Sequence, residues 1–164
     1  MNIKKTSSNI YFSGINIIMK RFSFTCFILF ACTALKAQTT DTTAIKQLLE
    51  KESVTWRSGD EQAHADCWHI HPYSKILIST TEGQCYDVPP ETMAHPPKGM
   101  MDNGGSFKNS NYVFSVHGDN AWVCHDEIST SKDGIATYSH EMKMLEKINN
   151  EWKIVAVSIH LYKP

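Results

Sequence analysis

The chain has 164 residues, with 16 basic and 17 acidic side chains, a net charge of −1 with histidine neutral, and 41% hydrophobic content. That length suits one ordinary domain with its own core. No basic surplus or basic run is present to neutralise a phosphate backbone, which excludes nucleic acid as the expected partner.

Met19-Lys20-Arg21, the apolar stretch Phe22 to Thr33 and Leu35-Lys36-Ala37 follow in the order of a secretory signal peptide cut before Gln38. Residues 1–18 read as upstream sequence from an earlier Met, and residues 38–164 as a single domain. Residues 1–37 hold five of the 16 basic residues and none of the 17 acids, so the mature chain would carry −6. The expected location is periplasmic or secreted. Leu29-Phe30-Ala31-Cys32 loosely resembles a lipobox, so a lipid anchor at Cys32 is the second option. No further apolar run reaches the ~20 residues of a membrane span. Cys67, Cys85 and Cys124 remain in the mature chain, where they read as small buried hydrophobes and permit at most one internal bridge.

Asp41 is a candidate N-cap for a first helix, with Ile45, Leu48, Leu49 and Trp56 on one face and Gly59 ending it. Asp60 caps a second helix, with Ala63, Cys67 and Trp68 inward and Pro72 stopping it. Lys75 to Thr80 reads as a short strand. Residues 88–110, "VPPETMAHPPKGMMDNGGSFKNS", hold four prolines, three glycines and three methionines. An insert of that length is either a lid, anchored by Met93, Met100, Met101 and Phe107, or a surface excursion. Tyr112–His117, Ala121–Thr130, Ala136–Ile148 and Trp152–Tyr162 then alternate as an antiparallel meander, joined at Gly118-Asp119-Asn120, Lys132-Asp133-Gly134 and Asn149-Asn150. Helices first and a meander last point to an α+β fold, with the helices covering one face of a curved antiparallel sheet.

Turn lengths set the faces. Three-residue loops at all three turns place Asp126 opposite His140 and bring His140 to Ser158 or His160. A two-residue turn at Asn149-Asn150 is rejected, because it would put Trp152 and Ile154 on the face of Lys143 and Lys147 and mix core with charge. The pocket face then holds Tyr112, Phe114, Val116, Trp122, Cys124, Ile128, Tyr138, Met142, Met144, Ile154 and Ala156. A polar row crosses it: Tyr112, Asp126, His140, Ser158 and His160. A carboxylate beside an imidazole fixes its tautomer and basicity, and a tyrosine can stabilise a developing oxyanion. The candidate catalytic residues are therefore Asp126, His140, Tyr112 and Tyr138. The candidate ligand-binding residues are Trp122, Cys124, Met142, Met144, Ser158 and His160. The alternative is a satisfied structural ladder.

"TWRSGDEQAHADCW" in the helices, "GDNAWVCHDE" in the third strand and "EWKIVAVSIH" in the last resemble the NTF2-like superfamily, closest to its SnoaL-like, calcium/calmodulin-kinase-association-type branch. The resemblance runs from about Thr42 to Tyr162. It implies the cone-shaped α+β fold, a pocket between helices and concave sheet, and commonly a dimer through sheet surfaces. It includes ketosteroid-isomerase-like and cyclase-like enzymes beside non-catalytic binding modules. The isomerase pattern of an aspartate base with a tyrosine would fall on Asp126 with Tyr112 or Tyr138. Secreted relatives labelled endo-arabinases would need two carboxylates in one cleft, whereas here Asp126 alone is expected to face the pocket, with Glu127 and Glu141 pointing away.

His69-x-His71 and nearby His64 have no third ligand at suitable spacing, so no metal is expected. No phosphate-binding glycine loop or dinucleotide fingerprint occurs, and no cofactor is expected. Val123, Val155, Val157 and Ile159, among Glu127, Glu141 and Lys143, suit a homodimer interface with a charged rim. The expected function is a small-molecule-binding protein. The alternatives are an isomerase-, cyclase- or hydratase-like enzyme using the Asp126–His140 pair, an interaction module using the valine face, and a glycan hydrolase.

Overall fold

The computed structural model describes residues 40–102 and 104–164. The signal-peptide reading of residues 1–37 and the lipid-anchor option at Cys32 lie outside the described residues. Among the described residues, no helix is long and apolar enough to cross a membrane.

Helix α1 spans residues 40–58. Its apolar stripe buries Ile45 and Leu49 completely, as the helical spacing of those residues requires. Asp41 is not its cap. It lies inside the helix, and its carboxylate accepts hydrogen bonds from Lys147 Nζ at 2.7 Å and Trp152 Nε1 at 3.1 Å. The helix ends at Gly59, which takes φ +70°. A Cβ there would sit 2.7 Å from Asp102 Cβ, so both the left-handed turn and the close approach require glycine. The last carbonyls of a helix need outside donors. Here Asp60 N donates to Thr55 O, Asp102 N to Trp56 O and Gly104 N to Arg57 O. The insert thus caps α1 and is fastened to it.

Asp60 caps α2 (Glu61–Ala65) through a bond from Ala63 N, as its position predicts. His64, fully buried, contacts Thr55 Oγ1 at 3.3 Å and the Met93 carbonyl at 2.9 Å. It ties the insert's helix α3 (Pro90–Ala94) to α1 and α2. Cys67 is buried, Cys124 half-buried and Cys85 exposed, and all three are free thiols. The reading of all three as buried hydrophobes holds only for Cys67.

The sheet has six strands: β1 (Ile76–Ser79), β2 (Cys85–Val88), β3 (Ser106–His117), β4 (Asn120–Thr130), β5 (Ala136–Ile148) and β6 (Glu151–Tyr162). They are ordered β2-β1-β6-β5-β4-β3. It is a curved, open, mixed sheet, because β1 runs parallel to β6, which qualifies the expected all-antiparallel sheet. The β1–β2 hairpin adds a strand that the sequence reading did not contain.

The β4–β5 register is the expected one: Gly134 takes φ +82° and Asp126 pairs with His140. The other two turns differ. Gly118-Asp119 is a two-residue turn pairing His117 with Asn120, and a bulge between Ser110 and Val113 follows. Asn149-Asn150 is also a two-residue turn, with both residues left-handed at φ 51° and 66°. That conformation matches the twist of the strands it joins. A bulge at Val155 then shifts the register by one, and His140 meets His160 by this route.

The consequence is a change of face. Tyr112, Phe114, Val116 and Ile154 pack in or against the core as expected. Trp122, Cys124, Met142, Met144 and Ala156 do not. They lie on the outer face, where Trp122, Met142 and Met144 are 39%, 44% and 53% exposed. Val123 and Val157 are buried in the core on the inner side, and Val155 is the buried bulge residue, so the valine-rich face is core and not a docking surface.

Candidate functional site

Between α1, the insert and the inner sheet face lies a cavity of about 510 Å³. One wall is apolar: Trp56 and Trp68, the insert's Met93 and Met100, and Ile159 and Leu161 of β6. The insert reading that placed Met93 and Met100 over an apolar opening agrees with this lining. Met101 is instead buried, and Phe107 lies under the Arg57 guanidinium.

The floor is charged. Lys143, with 4% of its side chain exposed, sits between two carboxylates, Glu52 Oε2 at 3.1 Å and Glu141 Oε2 at 3.2 Å. Burial alone would push the Lys143 ammonium toward losing its proton. The charges of Glu52, Glu141 and Glu127 outweigh it and hold its pKa above the ordinary lysine value. Ser139 Oγ donates to Glu141 Oε1 at 3.0 Å. A second cluster lies beside it. Arg57 Nη2 donates to Glu127 Oε1 at 2.8 Å and to Ser129 Oγ at 2.6 Å, and Ser53 Oγ donates to Glu127 Oε2 at 2.9 Å.

The rejected mixture of core and charge is what the protein builds. α1 places Glu52, Ser53 and Arg57 on the face that meets the sheet, so each charge from β4 and β5 finds its partner on a different element. Glu127 and Glu141 therefore line the cavity, against the expectation that they point away. The signal was present in the sequence as Glu52 and Arg57 near the end of the apolar stripe.

His125 lies across the strand pair from Glu141 and is 2% exposed. Its Nε2 is 3.8 Å from Glu141 Oε2, beyond hydrogen-bond reach, and neither ring nitrogen has a hydrogen-bond partner among the described residues. Burial, reinforced by the Lys143 charge, lowers its pKa to about 3, so the ring is neutral at pH 7. Tyr112 stacks on it at 5.4 Å. Trp68 Nε1, in the cavity wall, is another buried donor with no hydrogen-bond partner among the described residues.

Asp126 and His140 do meet, with His140 Nδ1 2.6 Å from Asp126 Oδ1. Hydrogen bonds from Asn111 and then His140 hold the Asp126 carboxyl below its usual range. His140 stacks on Tyr162 at 4.4 Å, and Ser158 Oγ is 3.0 Å from His160 Nε2. This row is assembled, but on the outer face, with the His140 side chain 62% exposed. Tyr138 shares that face and packs against Tyr162 at 5.8 Å, whereas Tyr112 is on the inner side. The expected catalytic set is thus split between the two faces, and none of the expected ligand-binding residues lines the cavity. Alternation reports which residues share a face. It does not report which face the helices cover.

No family model and no curated protein matches the chain. Solved structures do. It is similar to an NTF2-like protein with a cystatin-like fold from Novosphingobium aromaticivorans, with TM-score 0.60, 15% identity, and coverage of 79% of this chain and 87% of that one. It is also similar to a protein of unknown function with a cystatin-like fold from Nostoc punctiforme, with TM-score 0.58, 15% identity, and coverage of 74% and 91%. A third is a putative Ca/calmodulin-dependent kinase II association domain from Exiguobacterium sibiricum, with TM-score 0.55, 14% identity, and coverage of 76% and 95%. Helices followed by a curved open sheet, matched over most of each of these chains, give this protein the NTF2-like fold.

Proposed function

We propose that the protein is exported and binds a small, largely apolar molecule in the cavity beneath α1. The observation that carries this reading is the cavity itself. Its volume of about 510 Å³ falls in the range of small-molecule sites, and a mostly apolar wall meets a few convergent polar groups. Native mass spectrometry of protein taken from its host's periplasm or medium tests both parts. The expected spectrum shows a chain beginning at Gln38 with added small-molecule mass, and the added mass disappears in Ile159→Trp, which fills the cavity. A chain retaining residues 1–37 overturns export. Equal retention in Ile159→Trp overturns the cavity as the site.

A homodimer through the outer sheet face is the assembly we propose. Exposed Val113, Trp122, Met142 and Met144 sit on adjacent strands, and an apolar patch of that kind marks an interaction surface. The same spectra read the assembly. Wild type is expected at twice the protomer mass and Trp122→Lys at once. A wild-type monomer at micromolar concentration rules this assembly out.

A further inference from the structure

We infer that the ligand is a cationic amphiphile, with an ammonium head on the charged floor of the cavity and an apolar body against its tryptophan wall. This rests on the ligand-binding reading above and specifies its chemistry. The floor holds three carboxylates, Glu52, Glu127 and Glu141, against two cations, Arg57 and Lys143. All five side chains are 12% exposed or less. One ammonium, that of Lys143, is shared by two carboxylates, while Glu127 is matched by Arg57. One negative charge is left over.

The groups facing this floor from the other elements do not cancel it. His125 of β4 is neutral. The lining side chains contributed by β1, β2, β6 and the insert, among them Ile78, Val88, Val157 and Met93, are all uncharged. An uncompensated charge among side chains this buried is costly. A ligand ammonium completes the balance, a neutral ligand leaves it, and an anion doubles the deficit. The wall of Trp56 and Trp68 suits the other end of the same ligand, because it offers apolar surface to the body. Trp68 supplies an independent sign that a ligand belongs here, one whose body carries an acceptor: its indole N–H, buried in that wall, has no acceptor among the described residues.

The test uses three probes with one chain length: octylammonium, octanol and octanoate. Each is titrated at pH 7 into residues 38–164 carrying Trp122→Phe, so that the indoles of the cavity wall dominate the fluorescence change. Octylammonium is expected to bind at least tenfold more tightly than octanol, and octanol at least tenfold more tightly than octanoate. Glu52→Gln, which leaves the floor with two carboxylates and two cations, is expected to narrow the ammonium-over-alcohol ratio to about threefold or less. Octanol or octanoate binding as tightly as octylammonium overturns the cationic inference and leaves the pocket standing. Failure of all three probes, with no difference between this protein and an Ile159→Trp version, overturns the pocket and the inference together.

Discussion

Lys143→Met is expected to cost the protein about 3–5 kcal/mol, the penalty for stranding buried charge by removing one partner. Methionine keeps the length and most of the volume of the side chain, so packing changes little. What changes is the charge between Glu52 and Glu141, which lie 3.1 and 3.2 Å from the ammonium. His125 is neutral and 3.8 Å away, and does not replace it. Thermal unfolding should show a midpoint lower by roughly 10–20 °C for a domain of this size. Adding Glu52→Gln and Glu141→Gln to the Met variant should recover more than half of the loss, because the stranded charges are then gone.

The pH dependence carries a second signature of the same triad. The folded pKa of Lys143 lies above its ordinary value of 10.5. Its contribution is therefore complete below that unfolded value and is lost as pH rises from there through the folded pKa. Wild type should weaken over this alkaline window, and the Met variant should weaken less. A Met variant that melts within about 3 °C of wild type would mean that the three groups are not buried together.

Val157→Glu is expected to prevent stable folding, with a loss of at least ~3 kcal/mol. Val157 is 3% exposed, pairs with Ile76 on one side and Lys143 on the other, and donates its backbone N–H to Lys75 O. A carboxylate there replaces apolar contacts and adds a fourth negative charge to a floor already carrying an excess. Trp122→Lys is the matched control on the opposite face. Trp122 is 39% exposed, and the monomer carrying lysine there should melt within a few degrees of the wild-type monomer. Circular dichroism melts of the two variants therefore read which sheet face is core. A stably folded Val157→Glu protein would reverse the assignment.

The comparison of these two residues also shows where sequence reasoning reached its limit. The bounds of β4, β5 and β6 to within a residue, the hairpin at Gly134 and the pairing of Asp126 with His140 were legible, whereas β2 and the first six residues of β3 were not, because the former depend on local turn chemistry and strict alternation. The inner and outer faces were not. Both carry large apolar side chains, with Trp122, Met142 and Met144 on one and Val123, Leu145 and Val157 on the other. A rule that sends apolar residues inward had no means of choosing between them, and it favoured the larger set.

Two features decided the matter, and both act between elements far apart in the chain. The bulges at Ser110/Val113 and Met144/Leu145 each shift the register by one, so face counting from the turns breaks inside β3 and β6. Glu52 and Arg57 of α1 make the inner face a place where Glu127, Glu141 and Lys143 can be buried. Local pattern specifies the α+β class, the succession of the last four strands and the residues of β4 and β5 that share a face, since these follow from periods of 3.6 and 2 and from turn residues. Which face became the cavity followed from contacts between distant elements. The desolvation cost of a buried lysine or glutamate depends on a partner separated by as many as 91 positions, and no local pattern carries that distance.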